Sequence, residues 1–293
     1  MPVQCVVDGK NVIGECCFQD PRDGSVLWTD IESCKIYRIA GGQVTEYVLP
    51  GRAGFVLPLR DTGFVVGFSK QVTTTDSEFQ NFRRIADIEP ELGCTRINDA
   101  AVDPFGGVVF GTYDETPHPE KGFIGSVYRL SSNGEFRRLF GDVAVSNGMD
   151  FSPDGSVMYF ADSKEGTIRR FHVGDHDFSD FRELEPLAAP TAAPGKPDGG
   201  CVDSQGNYWS ARVWGHCAVR FSPQGDVNAK IDLPIKGPTC VALGGSDLKT
   251  LYITSLRTNH SAEDLASMPM SGGLFAAPVD IPGITQRQCS LPG

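Results

Sequence analysis

The chain has 293 residues, 40% of them hydrophobic and 22% charged, the composition of an ordinary globular protein. A net charge of −11 disfavours nucleic acid and anionic membranes as partners and fits a small-molecule or cationic one. No stretch approaches the roughly 18 apolar residues that span a bilayer, and the opening "MPVQCVVDGKNVIGECC" lacks a basic segment followed by an apolar one, so neither an anchor nor a secretion signal is expected.

Taken in chain order, the elements repeat. "GSVLWTDIESCKIYRIAGGQVTEYVL" (24–49) is one unit that fits the repeat loosely, and "GFVLPLRDTGFVVGFSKQV" (54–72) begins a second. "VTTTDSEFQNFRRI" (72–85) reads as strand, turn, strand in preference to a helix. From there a turn motif recurs: "VDPFGGVVFGTYD" at Val102, "FSPDGSVMYFADS" at Phe151, "VDSQGNYWSARVW" at Val202 and "LGGSDLKTLYITS" at Leu243. Second hairpins lie between them, in "GSVYRLSSNGEFRRLF", "GTIRRFHVGDHDFSDFREL" and "CAVRFSPQGDVNAKIDL". A period of roughly 40 to 50 residues is that of propeller blades. Six units predict an all-β, six-bladed β-propeller with four strands per blade, and the whole of 1–293 as one domain. The Pro/Ala/Gly-rich "LAAPTAAPGKPDGG" (187–200) falls inside the period and is expected to be a loop between blades. "SAEDLASMPM" (261–270), with Ser261 followed three residues on by Asp264, predicts one short surface helix. The nine cysteines are odd in number and scattered, without a CxxC pair, which predicts free thiols in a cytoplasmic protein.

In a propeller the inner strands converge on a central channel, and polar residues where those strands begin are candidates for chemistry. Four places qualify: Glu15 in "VIGECC"; Arg96, Asn98 and Asp99 in "CTRINDAAVD"; Asn147 in "VSNGMDF"; Asp198 in "GKPDGGCVD". Two carboxylates and an amide oxygen make a hard oxygen donor set, suited to Ca²⁺, Mg²⁺, Mn²⁺ or Fe²⁺, with Zn²⁺ unusual where neither His nor Cys contributes. Each residue also has a plain reading: Asn147-Gly148 and Pro197-Asp198-Gly199 as turns, Glu15 as a surface charge, Arg96 and Asp99 as a surface ion pair. The five histidines (118, 172, 176, 216, 260) do not follow the pattern, and His172 and His176 are read as part of a hairpin. There is no phosphate loop and no GxSxG elbow.

"RINDA", "SNGMDFSPDG…MYFADS" and "KPDGGCVDSQGNYWSA", in this order, resemble the motifs of the SMP-30/gluconolactonase/LRE (regucalcin-like) family, over essentially the whole chain and with a tail similar to its bacterial sugar-acid lactonases. The resemblance implies a six-bladed propeller with one divalent metal ion in the channel, held by Glu15, Asn147 and Asp198. It implies substrate contacts from Arg96, Asn98 and, by a looser match in "GTYDETPH", Glu115, and it makes Asp198 the base. Two departures stand out. The family's Gly-Glu-Gly-Pro is here Gly14-Glu15-Cys16-Cys17, which puts the local backbone path in question and brings sulfur near the metal. Its Asn-Asp-Gly is Asn98-Asp99-Ala100.

The implied activity is hydrolysis of an aldonolactone, a pentonolactone such as L-arabinono- or D-xylonolactone, to the aldonic acid. The metal would act as Lewis acid on the carbonyl and Arg96 would stabilise the charge on its oxygen. The alternatives are a non-catalytic Ca²⁺-binding protein, over which the Arg96–Asn98 pair favours catalysis, and an interaction scaffold, which would require a large exposed apolar or charged face. The partners expected are a sugar lactone, no nucleic acid and no membrane, for a monomeric protein.

Overall fold

The computed structural model describes residues 2–116 and 122–291; His118 lies outside them. After a short strand, β1 (Gln4–Val7), the chain lays down five antiparallel sheets, each of four consecutive strands. The first holds β2 (Gly14–Gln19), β3 (Val26–Asp30), β4 (Lys35–Ala40) and β5 (Gln43–Val48). The second holds β6 (Ala53–Pro58), β7 (Phe64–Phe68), β8 (Gln71–Thr75) and β9 (Arg83–Asp87). The third holds β10 (Thr95–Val102), β11 (Val108–Asp114), β12 (Gly125–Leu130) and β13 (Phe136–Val143). The fourth holds β14 (Ser146–Phe151), β15 (Val157–Asp162), β16 (Thr167–His172) and β17 (Arg182–Ala188), and the fifth β18 (Lys196–Val202), β19 (Tyr208–Val213), β20 (Cys217–Phe221) and β21 (Val227–Asp232).

The sixth sheet differs. It has β22 (Pro238–Gly244), β23 (Thr250–Ser255) and β24 (Leu274–Pro278), and its outer strand is β1 from the other end of the chain. The first strands β2, β6, β10, β14, β18 and β22 each touch the next, and β22 meets β2 to complete the ring. The protein is a six-bladed β-propeller, as the repeat predicts; the loan of β1 to the last blade was not visible in the repeat. The short helix α1 (Ala262–Ser267) is also where the sequence puts it. The Ser261 hydroxyl caps the Asp264 amide at 3.0 Å, and the Asp264 carboxylate accepts from the Ser261 amide at 3.2 Å. The loop between the fourth and fifth blades is shorter than the expected 187–200: residues 187–188 end β17 and 196–200 open β18, leaving 189–195; all nine cysteines are free thiols.

Local chemistry explains the pattern. Inner strands such as β6 and β22 are buried along their whole length and are nearly all apolar, while the outer strands β5, β9 and β21 carry charges at exposed positions. The recurring turn is held by its leading carboxylate: Asp103 accepts from the amides of Phe105 and Gly107, both at 2.8 Å, and Asp203 from those of Gln205 and Asn207.

Every inner strand carries one extra residue near its start. The ladder shifts between Glu15 and Phe18, Ala53 and Phe55, Ile97 and Asp99, Asn147 and Asp150, Pro197 and Gly200, and Pro238 and Val241. Such a bulge bends the strand and re-aims the side chains beside it. At the opposite end of the channel the segment after β24 runs across the turns of four blades. Gly283 bridges to Asp203, Arg287 donates to the Ser152 carbonyl at 3.0 Å, Cys289 bridges to Leu59, and Ser290 donates to the Gly106 carbonyl at 2.8 Å. Ile284 to Arg287 line a channel cavity of about 80 Å³ together with residues of the inner strands, so the tail forms its floor.

Gly67 of β7 sits opposite the fully buried Phe55 of β6, and a methyl group added there would stand 2.1 Å from the Phe55 ring. Gly67→Ala is expected to destabilise the fold by about 1–3 kcal/mol through overpacking. Guanidinium unfolding would read this as a lower midpoint at unchanged slope, partly restored when Phe55→Leu is added.

Candidate active site

The bulges position the candidate residues. Glu15 and Asn147 are the last paired residues before the break in β2 and β14, facing Thr29 and Ala161. Asp198 lies one place later, inside the break of β18, and Asn98 lies inside that of β10, two residues after Arg96. The sequence reading of equivalent places in successive repeats therefore holds for Glu15 and Asn147, and Asp198 is offset by one. None of the three lines the channel cavity; the residues that follow them do, among them Cys16, Met149 and Gly200. The carboxylates thus stand above that cavity, at the end of the channel remote from the tail.

A hydrogen-bonded relay runs through the site. An Arg96 guanidinium nitrogen donates to the Asn98 side-chain oxygen at 2.6 Å. Because arginine has no acceptor, this contact fixes which way the Asn98 amide points. Its nitrogen then donates to Asn147 Oδ1 at 2.9 Å and to the Ser146 carbonyl at 2.8 Å. The Asn147 nitrogen donates to Ser163 Oγ at 2.8 Å. Asn147 Oδ1 is left with one lone pair unused by this relay. Arg96 is buried, lies over the Tyr113 ring at 4.6 Å, and has the Glu115 carboxylate 3.4 Å from its Nε. Arg52, at the start of β6, grips Glu115 with two nitrogens at 2.7 and 2.9 Å and reaches Glu32 at 3.2 Å. Arg96 and Asp99 do not pair: Asp99 accepts from the backbone amides of Ala100 and Met149.

The charges are poorly balanced. Burial, and after it the negative charges of Asp198 and Asp99, pushes the Glu15 carboxyl well up; the Cys16 amide and then Arg96 oppose this. Burial and Asp99 push Asp198 up as well, against a single backbone amide. Asp99 is pushed up to about 6 by burial, with the amides of Met149, Ala100 and Gly148 opposing. Buried carboxylates under the shared negative charge of Asp99, with Asp198 also acting on Glu15 and no lysine or arginine acting on Asp198, fit a divalent cation. Among the described residues no three His, Cys, Asp or Glu side chains form a metal-holding group.

The sequence departures resolve physically. Cys16 takes the left-handed φ of +47°, the conformation glycine adopts freely, so the backbone path at Glu15 survives the change of residue. Its sulfur turns to the neighbouring blade, 3.3 Å from both the amide and the carbonyl oxygen of Val56. Ala100 has no left-handed φ and needs no glycine. Gly148 does: its φ is +59°, and a Cβ there would meet the Tyr208 hydroxyl at 2.3 Å and the Asp198 carbonyl at 2.8 Å. Sequence reading missed Arg52, because nothing but the fold brings residue 52 to residue 115. It also missed Thr239, whose hydroxyl in the β22 bulge donates to the Gly14 carbonyl beside Glu15.

A family model described as SMP-30/Gluconolactonase/LRE-like region matches residues 13–257. Over 97% of both chains the sequence is 36% identical to a 6-deoxy-6-sulfogluconolactonase of Pseudomonas putida. It is 35% identical to an L-arabinolactonase of Azospirillum brasilense, over 93% of this chain and 90% of that one. The crystal structure of a calcium-binding protein, regucalcin, from Agrobacterium tumefaciens superposes with a TM-score of 0.89 at 25% identity, covering 97% of this chain and 96% of the other.

Cation binding to the folded state alone raises stability by about 2.7 kcal/mol at a hundredfold excess over Kd. Ca²⁺ or Mn²⁺ added to chelator-stripped protein is expected to raise Tm by several degrees, and Glu15→Gln or Asp198→Asn to abolish the shift. In stripped protein Asp198→Asn is expected to raise the unfolding midpoint, since it removes a buried like charge.

Proposed function

Because the chain belongs to the SMP-30/gluconolactonase/LRE family, we propose that it is a metal-dependent sugar lactonase that hydrolyses an aldonolactone to the aldonic acid. The observation that carries this reading is the pair of like-charged carboxylates, Glu15 and Asp198, beside a donor-only guanidinium, Arg96, whose position is fixed by Asn98 and Glu115. The lactonase names of its relatives support it, and the L-arabinolactonase likeness supports a five-carbon lactone as substrate. No helix among the described residues is long and apolar enough to cross a membrane; a cytoplasmic, monomeric protein completes the proposal.

Glu15, Asn147 and Asp198 would hold one divalent cation, with Ca²⁺, Mg²⁺, Mn²⁺ and Fe²⁺ suited to three oxygens. When bound, such an ion supplies Lewis acidity toward the lactone carbonyl. The chain's own groups do the rest. Arg96 and Asn98, with Glu115, hold ring hydroxyls and fix the lactone in place. Asp198 takes the proton of the attacking water as the new C–O bond forms. Arg96 donates to the carbonyl oxygen as charge builds there. The ring C–O bond then breaks, and the proton held by Asp198 passes to the departing ring oxygen, which leaves as the aldonate hydroxyl.

A second reading is a Ca²⁺-binding protein without turnover, which the likeness to the calcium-binding regucalcin favours. The relay from Arg96 through Asn98 to Asn147 argues for catalysis, since holding an ion requires no buried arginine.

Proton release on a panel of pentono- and hexonolactones separates the two. Stripped protein is expected to be inactive, with activity restored by one of the cations singly. Asp198→Ala is expected to lose at least about a hundredfold in kcat and Arg96→Ala about 100- to 1,000-fold in kcat, the range for removing an electrostatic donor. Full activity after chelation would refute the metal role, and no hydrolysis with any cation would leave the binding reading.

A further inference from the structure

Two of the three tryptophans, Trp28 and Trp209, are fully buried; the third, Trp214, is 37% exposed. It also takes a left-handed φ of +64°. For a bulky residue this is an outlier that costs about 1–2 kcal/mol. Core packing does not call for it, because its two aromatic and cationic neighbours are themselves half-exposed. The His260 ring lies 5.4 Å from the indole and the Lys236 ammonium stands over it at 5.8 Å. A glycine would relieve the turn, yet the glycine is at 215, where an added Cβ would strike the Pro194 carbonyl at 2.7 Å.

The fold puts this aromatic residue at the channel mouth. Trp214 is two residues beyond Arg212, the partner of Pro197, which precedes Asp198. It sits in the turn between β19 and β20, at the end of the blade where β18 begins. Lys236 lies two residues before β22, the inner strand between the one that carries Asp198 and the one that carries Glu15. His260 follows a segment tied to the Glu15 strand, with Leu256 bridged to Ile13 and the Thr258 amide donating to the Val12 carbonyl at 3.2 Å. Trp214, Lys236 and His260 thus lie at the end of the blades where the strands of Asp198 and Glu15 begin, whereas Arg52, Arg96 and Glu115 belong to the second and third blades.

We propose that Trp214 is a specificity-determining residue, an aromatic platform for the C–H face of the carbons that lie beyond the lactone ring. This rests on the lactonase reading and deepens it. A lactone with its carbonyl between Glu15 and Asp198 extends its far carbons toward the rim. An indole offers them a flat apolar surface at little cost in side-chain entropy. Lys236 covers part of the indole and holds it in place, with its own charge turned toward Asp264 at 3.5 Å. A six-carbon lactone carries one more carbon beyond the ring than a five-carbon lactone of the same ring size, so the platform widens the range of the proposed five-carbon lactonase to six-carbon substrates.

The test uses the whole protein with its activating cation. Steady-state kinetics on a hexono- and a pentonolactone would be compared for wild type, Trp214→Ala and Trp214→Phe. The expected result is at least a tenfold fall, in Trp214→Ala, of the six- over five-carbon ratio of kcat/KM, carried by KM, with partial rescue in Trp214→Phe. Binding is read separately by titrating D-gluconate while following tryptophan emission: a saturable change in wild type, absent in Trp214→Phe, is expected. Active wild type with an unchanged ratio and no Trp214 signal would overturn the platform. A Trp214 signal in a protein that hydrolyses no lactone would overturn the lactonase reading and leave the sugar-acid subsite standing.

Discussion

Everything at the mouth of this channel depends on one extra residue in each inner strand. A regular strand turns alternate side chains to opposite faces, so a buried inner strand has no place for a carboxylate without burying it in a blade. The break in the ladder changes the path of the chain where the strand enters the ring. Glu15, Asn98, Asn147 and Asp198 all stand at or beside such a break. The same break lets Thr239 reach the carbonyl of Gly14, so the strand without a candidate ligand still helps to position one.

The direction of the hydrogen bonds follows from a single residue. Arginine can only donate, so Arg96 sets Asn98, Asn98 sets Asn147, and Ser163 receives the last proton of the relay. The outcome is an Asn147 side-chain oxygen held in a fixed direction. Arg96 is itself held by Glu115, and Glu115 by Arg52 on the neighbouring blade. The positive side of the mouth is therefore one connected group, and a change at any member is felt by the others.

Much of this was legible in the sequence. The turn motif near 102, 151, 202 and 243 gave the blade period, and Ser261 with Asp264 gave the helix, because both are local: side chains bonding to backbone a few residues away. Polar residues at strand starts were legible for the same reason. What could not be read was long-range. The Arg52–Glu115 pair and the pairing of β1 with β24 exist only through the closed ring. Cys16 lay between: its identity was plain, but whether a non-glycine could follow the left-handed path depended on the Val56 backbone that receives its sulfur.

The sharing of the last blade between the two ends of the chain has a consequence for the order of assembly. Five blades can form from neighbouring segments as each is made, but the sixth pairs Gln4 with Ala276 and must wait for nearly the whole chain. Contacts so distant in sequence are slow to form, and until then β1 is left without its partner. The same blade supplies β22, which stands between the strands of Asp198 and Glu15. Those two carboxylates come within electrostatic reach of each other only when the ring closes, so completion of the fold and completion of the site are a single late event.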